Sequence, residues 1–284
     1  MKGLQRHFRA LRGPLAALGL AVCKTVWADC ASHLPVVGAL TVERCIEGPA
    51  CVSAAQALYD YASRGPGRDD PTVLNIFLHS SPWRFYDQEM RIIPVEELAD
   101  SVRPYRKKGV RRVVLKASWS GVAPGPKEKS LAARLSSALG GVPVQGQDGF
   151  VWMAADGSLR TTRQALSVMS GSGPYQVKKG GEVLVALVAS WPTFLEDSLR
   201  QAKDAEGLLH AGAGADIFLL CPDQALRIFD EAASLGSPIA AYNGALMRLD
   251  RGAPGDRLAA LRLLEQAAQA EDRPARELLR RLAR

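Results

Sequence analysis

Two textures of apolar and polar positions divide the chain. Thr72–Leu78 is an apolar run with Val, Ile and Phe, the pattern of a buried strand, and Arg111–Ala117 reads as a second buried strand around Val113-Val-Leu115. Glu182–Ser190 repeats that pattern before Trp191-Pro192. Val142–Val144 begins a shorter strand, and Val151–Ala154 with Asp156-Gly157 reads as a strand and turn. Between these runs, apolar residues recur at helical spacing over Val52–Ser63, Val95–Lys108 and Ser130–Leu139; Gly109 closes the second helix and Gly140-Gly141 the third. Strands alternating with helices predict an α/β domain over residues 29–195, built on a layered, mainly parallel sheet.

After Phe194 the sequence becomes alanine-rich and helical. Gln224-Ala-Leu-Arg-Ile-Phe-Asp-Glu-Ala-Ala233 is echoed by Ala259-Ala-Leu-Arg-Leu-Leu-Glu-Gln-Ala-Ala268, at an offset of 35 residues. A second helix follows each, led by Pro238-Ile-Ala240 and by Pro274-Ala275. Gly212-Ala-Gly214 and Gly171-Ser-Gly173 read as turns. The echoed segments resemble the Sel-one-like repeat family, whose units carry an A-L-x-x-[LF]-x-x-A-A core and a second, alanine-containing helix. The resemblance implies a helical repeat tail over 196–284. Two units fall short of the three or so that stand alone, so the tail is expected to pack on the α/β domain.

The N-terminus changes the charge picture. Of the net +7, residues 1–28 contribute five cations (Lys2, Arg6, Arg9, Arg12, Lys24) and no acid. An apolar run over Leu15–Cys23 and the small residues around Ala28 read as a secretory signal peptide, which makes the expected location periplasmic. The run is too short for a stable membrane span. Without that leader only +2 remains, and basicity no longer argues for a nucleic-acid partner. Four cysteines would then stay in an oxidising compartment. Cys45 and Cys51 flank a short turn and can close a small loop, leaving Cys30 to Cys221; pairings of Cys30 with Cys45 or Cys51 stay open.

Candidate chemistry sits at two strand ends. Asn75-Ile-Phe-Leu-His79-Ser80 places a histidine after one strand, and Val113-Val-Leu-Lys-Ala-Ser118-Trp-Ser-Gly121 ends the next in a turn of small residues. Over Thr72–Val144 this order resembles the caspase-like cysteine peptidases, which implies a caspase-like or flavodoxin-like layered sheet. Ser118 stands where that family has its nucleophilic cysteine, and Ser80 where it has glycine. A hydroxyl needs a positioned base and an orienting third group far more than a thiol does. The leading expectation is therefore no catalysis, with a His79/Ser118 serine-hydrolase dyad as the alternative. Neither metal nor cofactor is expected, since His7, His33, His79 and His210 are scattered and nucleotide-binding signatures are missing.

Recognition chemistry is richer. Ser81-Pro-Trp83-Arg84-Phe85-Tyr86 follows a strand and concentrates residue types enriched at interface hot spots, with Trp119 on the neighbouring turn. Arg106 belongs to a basic run over Arg103–Lys116, suited to steering an acidic partner. Export, repeats and the lack of catalytic machinery together resemble the periplasmic immunity proteins encoded beside type VI secretion phospholipase effectors. The expected partner is accordingly a secreted toxin; an envelope scaffold acting through the repeats is the other binding reading.

Overall fold

The computed structural model describes residues 70–153 and 195–284 continuously, together with Cys30 and short segments at 39–42, 51–53, 159–163, 165–168, 176–178 and 185–186. The expected leader, Cys45, most of the Val52–Ser63 helix and the Asp156-Gly157 turn lie outside the described residues. In chain order the strands are β1 (Ala39–Val42), β2 (Cys51–Ser53), β3 (Val73–Phe77), β4 (His79–Ser80), β5 (Phe85–Tyr86), β6 (Ile92–Ile93), β7 (Arg112–Lys116), β8 (Val144–Gln145), β9 (Phe150–Met153), β10 (Leu159–Thr162), β11 (Ala165–Val168), β12 (Gln176–Lys178) and β13 (Val185–Ala186). The helices are α1 (Val95–Lys107), α2 (Leu131–Ala138), α3 (Leu195–Ala202), α4 (Ala205–Ile217), α5 (Pro222–Ser234), α6 (Pro238–Arg251), α7 (Asp256–Gln269) and α8 (Arg273–Leu282).

The fold is mixed α/β followed by helices. Its centre is the parallel sheet β3-β7-β8, in register through Leu74↔Val113 and Val113↔Val144. Helices α1 and α2 cover one face, where Leu98, Val102, Leu131 and Leu135 close over Val113 and Leu115. Leu115, Leu131 and Leu135 are wholly buried, and burial of such a side chain stabilises by about 1.5–3 kcal/mol. Glu96 and Glu97 open α1 while Arg106 and Lys107 close it, both ends matching the helix dipole. Ser130 caps α2 by accepting the Ala133 N–H at 3.2 Å.

Parallel pairing is less general than the alternating pattern implied. It holds in β3-β7-β8 and between β1 and β11, but β4-β5-β6, β9 with β10 and β13, and β2 with β12 pair antiparallel. Parallel neighbours need a crossover such as α1 or α2; the short links around Ser81–Met90 permit only a hairpin. Val52 and Ser53, placed by sequence at a helix start, belong to the strand Cys51–Ser53, paired with Gln176–Lys178.

Three helix–turn–helix units follow, one more than the echoed sequence revealed. In each, the residue that caps the second helix donates its N–H back to the first: Asp204 to Leu199, Ser237 to Ala232 and Asp272 to Ala267, all at 3.0 Å. Its side chain then accepts the N–H three residues on, from Gly207, Ala240 and Ala275. The residue before the cap is left-handed each time: Lys203 (φ 53°), Gly236 (φ 100°) and Glu271 (φ 64°). Ala225 and Ala260, Phe229 and Leu264, and Ala232 and Ala267 are buried at matching positions. Gly212-Ala-Gly214, expected in a turn, lies inside α4. A Cβ on Gly212 would sit 2.7 Å from the Phe229 ring, so its absence lets α4 and α5 approach. The Cys30–Cys221 disulfide, spanning 191 residues, joins the N-terminal part to the residue preceding α5.

Candidate functional site

The segment His79–Ile93 holds the two halves together. It forms β4-β5-β6 and lies against α4, α6 and the start of α8, the second helices of the three units. One polar residue from each makes the attachment. Asp216 of α4, with no exposed surface, accepts from Ser81 Oγ (2.7 Å), Tyr86 OH (2.8 Å) and Arg84 Nη1 (3.2 Å). Asn243 of α6, also fully buried, accepts the Ile92 N–H and donates to the Met90 carbonyl, both at 2.8 Å. Asp272, the α8 cap, takes Arg91 bidentately at 2.5 and 3.2 Å, while that guanidinium stands 5.1 Å from the Tyr242 ring centre. Charge-assisted bonds of this kind fix geometry as well as add energy.

Beside this joint a cleft of ≈ 700 Å³ opens between the halves. Trp83 and Arg84 form one edge, Lys129 and Arg134 of the loop and helix after β7 another, and Leu226, Met247 and Asp250 of α5 and α6 the opposite wall. Its volume and mixed lining suit a ligand or a partner's protruding segment. Arg134 Nη1 donates to the Trp83 carbonyl at 3.3 Å, tying two of the edges. Arg84 is only 8% exposed, yet its Nε has no hydrogen-bond partner among the described residues. The Asp250 carboxylate stands 3.7 Å from that nitrogen, too far for a hydrogen bond, and is 54% exposed.

The residues singled out from sequence are thus distributed by depth. Trp83 and Arg84 line the cleft. Tyr86 and Trp119 are fully buried inside the fold. Burial, followed by the neighbouring Asp216, pushes the Tyr86 hydroxyl well above its ordinary range. Trp119 is left-handed (φ 59°), packs edge-on against Phe150 with ring centres 5.2 Å apart, and leaves its indole N–H unpaired among the described residues. Arg106 donates to the Leu139 carbonyl at 2.9 Å, which draws one member of the basic run into linking α1 to the end of α2.

His79 and Ser118 are not joined by any described hydrogen bond. The Ser118 hydroxyl accepts the Val151 N–H at 3.0 Å, and its carbonyl accepts from Ser80 Oγ at 2.5 Å. Burial lowers the His79 pKa, with His210 of α4 adding to the shift and Asp87 opposing it. Its electrostatic neighbour across the joint is therefore a second imidazole. Cys30 and Cys221 are bonded to each other; Cys45 and the Cys51 side chain lie outside the described residues.

Sequence reading missed Asp216, Asn243, Arg134 and Asp250. Asp216 is the one with a readable signal, a lone acid inside the largely apolar stretch Leu208–Leu220. Among known proteins, a family profile described as Domain of unknown function (DUF8616) matches residues 49–161, which contain β3-β7-β8 and the His79–Ile93 segment. No curated protein and no solved structure matches the chain.

Proposed function

We propose that this is a non-catalytic, periplasmic protein-binding protein whose target is a secreted toxin, and specifically an immunity protein that neutralises a phospholipase delivered by type VI secretion. The observation that carries the binding reading is the cleft. It is lined by both halves, and its edges are held by the buried Arg84–Asp216 pair and by Arg134 on the Trp83 carbonyl. A surface organised before its partner arrives loses little ordering entropy on association. The inner helices of the three units are already occupied by the His79–Ile93 segment, so the grip falls at the cleft beside them. The Cys30–Cys221 bond agrees with an oxidising compartment. The choice of toxin rests on the Sel-one-like resemblance and on the signal-like leader.

The test is affinity capture of the oxidised protein from its native host, followed by co-expression of any captured lipase in the periplasm with and without it. Capture of a toxic lipase and rescue of growth are expected. Capture confined to structural envelope proteins, with no rescue, would replace immunity by scaffolding. A fluorophosphonate probe is expected to leave Ser118 unmodified, because its hydroxyl is held by the Val151 N–H; specific labelling there would make the protein a serine hydrolase instead.

A further inference from the structure

One end of the parallel sheet carries charge that the chain does not neutralise. Arg106 and Lys107 close α1, Lys108 follows as its cap, and Gly109 (φ 99°) turns the chain back into β7. The Val110 N–H donates to the Tyr105 carbonyl at 3.3 Å, and the Arg111 and Arg112 N–H groups both donate to the Thr72 carbonyl, at 2.8 and 3.1 Å. The turn thereby gathers Arg103, Arg106, Lys107, Lys108, Arg111 and Arg112 at the start of β3 and β7, and all are exposed. Asp100 meets Arg103, and Arg112 acts on Asp70. Arg106, Lys107, Lys108 and Arg111 meet no carboxylate among the described residues. Other exposed arginines are matched: Arg200 by Glu196, Asp197 and Glu231, Arg251 by Asp256, and Arg273 by Glu277. The helix dipole accounts for cations in the last turn of α1, but not for Lys108 and Arg111 beyond it.

We propose that this end of the fold docks on a membrane surface rich in anionic phospholipids. Protein interfaces bury an apolar centre and are depleted in lysine. Here the large apolar side chain on offer is Tyr105 alone, 47% exposed, with Lys108 Nζ 5.8 Å from its ring centre. A tyrosine flanked by long cationic stems suits the headgroup level, where its ring meets apolar chains and the cations meet phosphates. Each Lys or Arg near an anionic leaflet adds attraction, and a plane of headgroups can meet all of them at once. The other basic helix end, Arg280 and Arg281 of α8, has Glu277 acting against it and exposes no large apolar residue of that helix. The cleft edge at Trp83 and Arg84 follows from β4, beyond the opposite end of the sheet, so docking here leaves the cleft free. The proposal goes beyond the protein-binding reading and does not depend on it.

Vesicle flotation with the oxidised full-length protein tests this, using phosphatidylcholine vesicles with and without about a quarter of phosphatidylglycerol, at low and high salt. The anionic vesicles should bind the protein and the zwitterionic ones far less, with the difference shrinking at high salt. Lys107→Glu/Lys108→Glu is compared with Arg280→Glu/Arg284→Glu, which changes the net charge equally; the cations of residues 1–28 are common to every form. The α1 pair should weaken anionic-vesicle binding at least about thirtyfold and the α8 pair less than about threefold. Charge reversal can loosen the end of α1, so Lys107→Gln/Lys108→Gln accompanies it and should lose at least about tenfold. Tyr105→Ala should weaken binding at both salt concentrations, because its contact is apolar. Equal binding to both vesicle types, equal losses from the α1 and α8 pairs, or an unaffected α1 pair overturns the proposal. If wild type leaves the vesicles unbound while the α1 pair loses a captured acidic protein, the patch is a protein interface and the proposal falls.

Discussion

Asp216→Asn tests the joint on which the arrangement depends. The substitution keeps the side-chain volume and one oxygen but removes the negative charge and turns one acceptor into a donor. Arg84, 8% exposed, would then hold a buried positive charge opposed only by the half-exposed Asp250 carboxylate, 3.7 Å from its Nε. Tyr86 OH and Ser81 Oγ both donate to Oδ2, while Arg84 donates to Oδ1, so one of the two oxygens must fail its partners. Breaking a buried ion pair from one side costs about 3–5 kcal/mol. Against the roughly 5–15 kcal/mol that holds most domains folded, this is a large share. The assay is urea unfolding of the oxidised protein, followed by far-ultraviolet dichroism and tryptophan emission. The Asp216→Asn transition should move to lower urea by the equivalent of at least about 3 kcal/mol. Adding Arg84→Met should recover part of the loss, since the uncompensated charge disappears with its partner. A loss below about 1 kcal/mol for the single variant, or a double variant worse than the two single losses summed, would refute the account of Asp216 as the charge partner that fixes the hairpin.

Three further outcomes follow from the same geometry. Cys221→Ser should destabilise the protein by about 2–5 kcal/mol, because the bond to Cys30 closes a long loop; equal urea midpoints for this variant and wild type would contradict it. Glu271→Gly should stabilise by about 0.5–1 kcal/mol in thermal unfolding, since glycine adopts the left-handed turn found at φ 64° without strain, while Gly236→Ala at the matching turn should destabilise. Alkaline stability should fall as pH rises past about 10, where an unfolded tyrosine ionises. Tyr86 is pushed well above that value, by burial first and Asp216 next, and Tyr242 up to about 12, by burial first and Glu97 next. The folded state therefore keeps protons that the unfolded state releases, and the stability tied to them drains away as pH climbs. Tyr86→Phe should flatten that decline in pH-dependent urea titrations, and an unchanged slope would count against the burial of the hydroxyl.

What could be read from the sequence follows what each pattern physically reports. Val113–Leu115 was legible because the central strand of the sheet is continuously apolar where it is buried; Leu74–Phe77, at the sheet edge and only half-buried, showed through Leu74, Ile76 and Phe77 despite Asn75. Helix α1 was legible because one face is buried and the other bears Glu96, Glu97, Arg103 and Arg106. Helix α4 carries no such contrast: from Leu208 to Ile217 nearly every residue is buried, so its period vanishes and the first helical unit disappears with it. Only the turn geometry at Lys203-Asp204 reveals it. The Trp83-Arg84-Phe85-Tyr86 segment had the composition of a binding surface, and composition does not distinguish a surface offered to another chain from one applied to the same chain. Here most of it turns inward, onto Asp216. A lone acid in an Ala/Gly-rich helix has no motif; its meaning comes from Ser81, Arg84 and Tyr86, more than 120 residues earlier. The same holds for the cleft, whose edges come from 83–84, 124–134, 222–226 and 247–251.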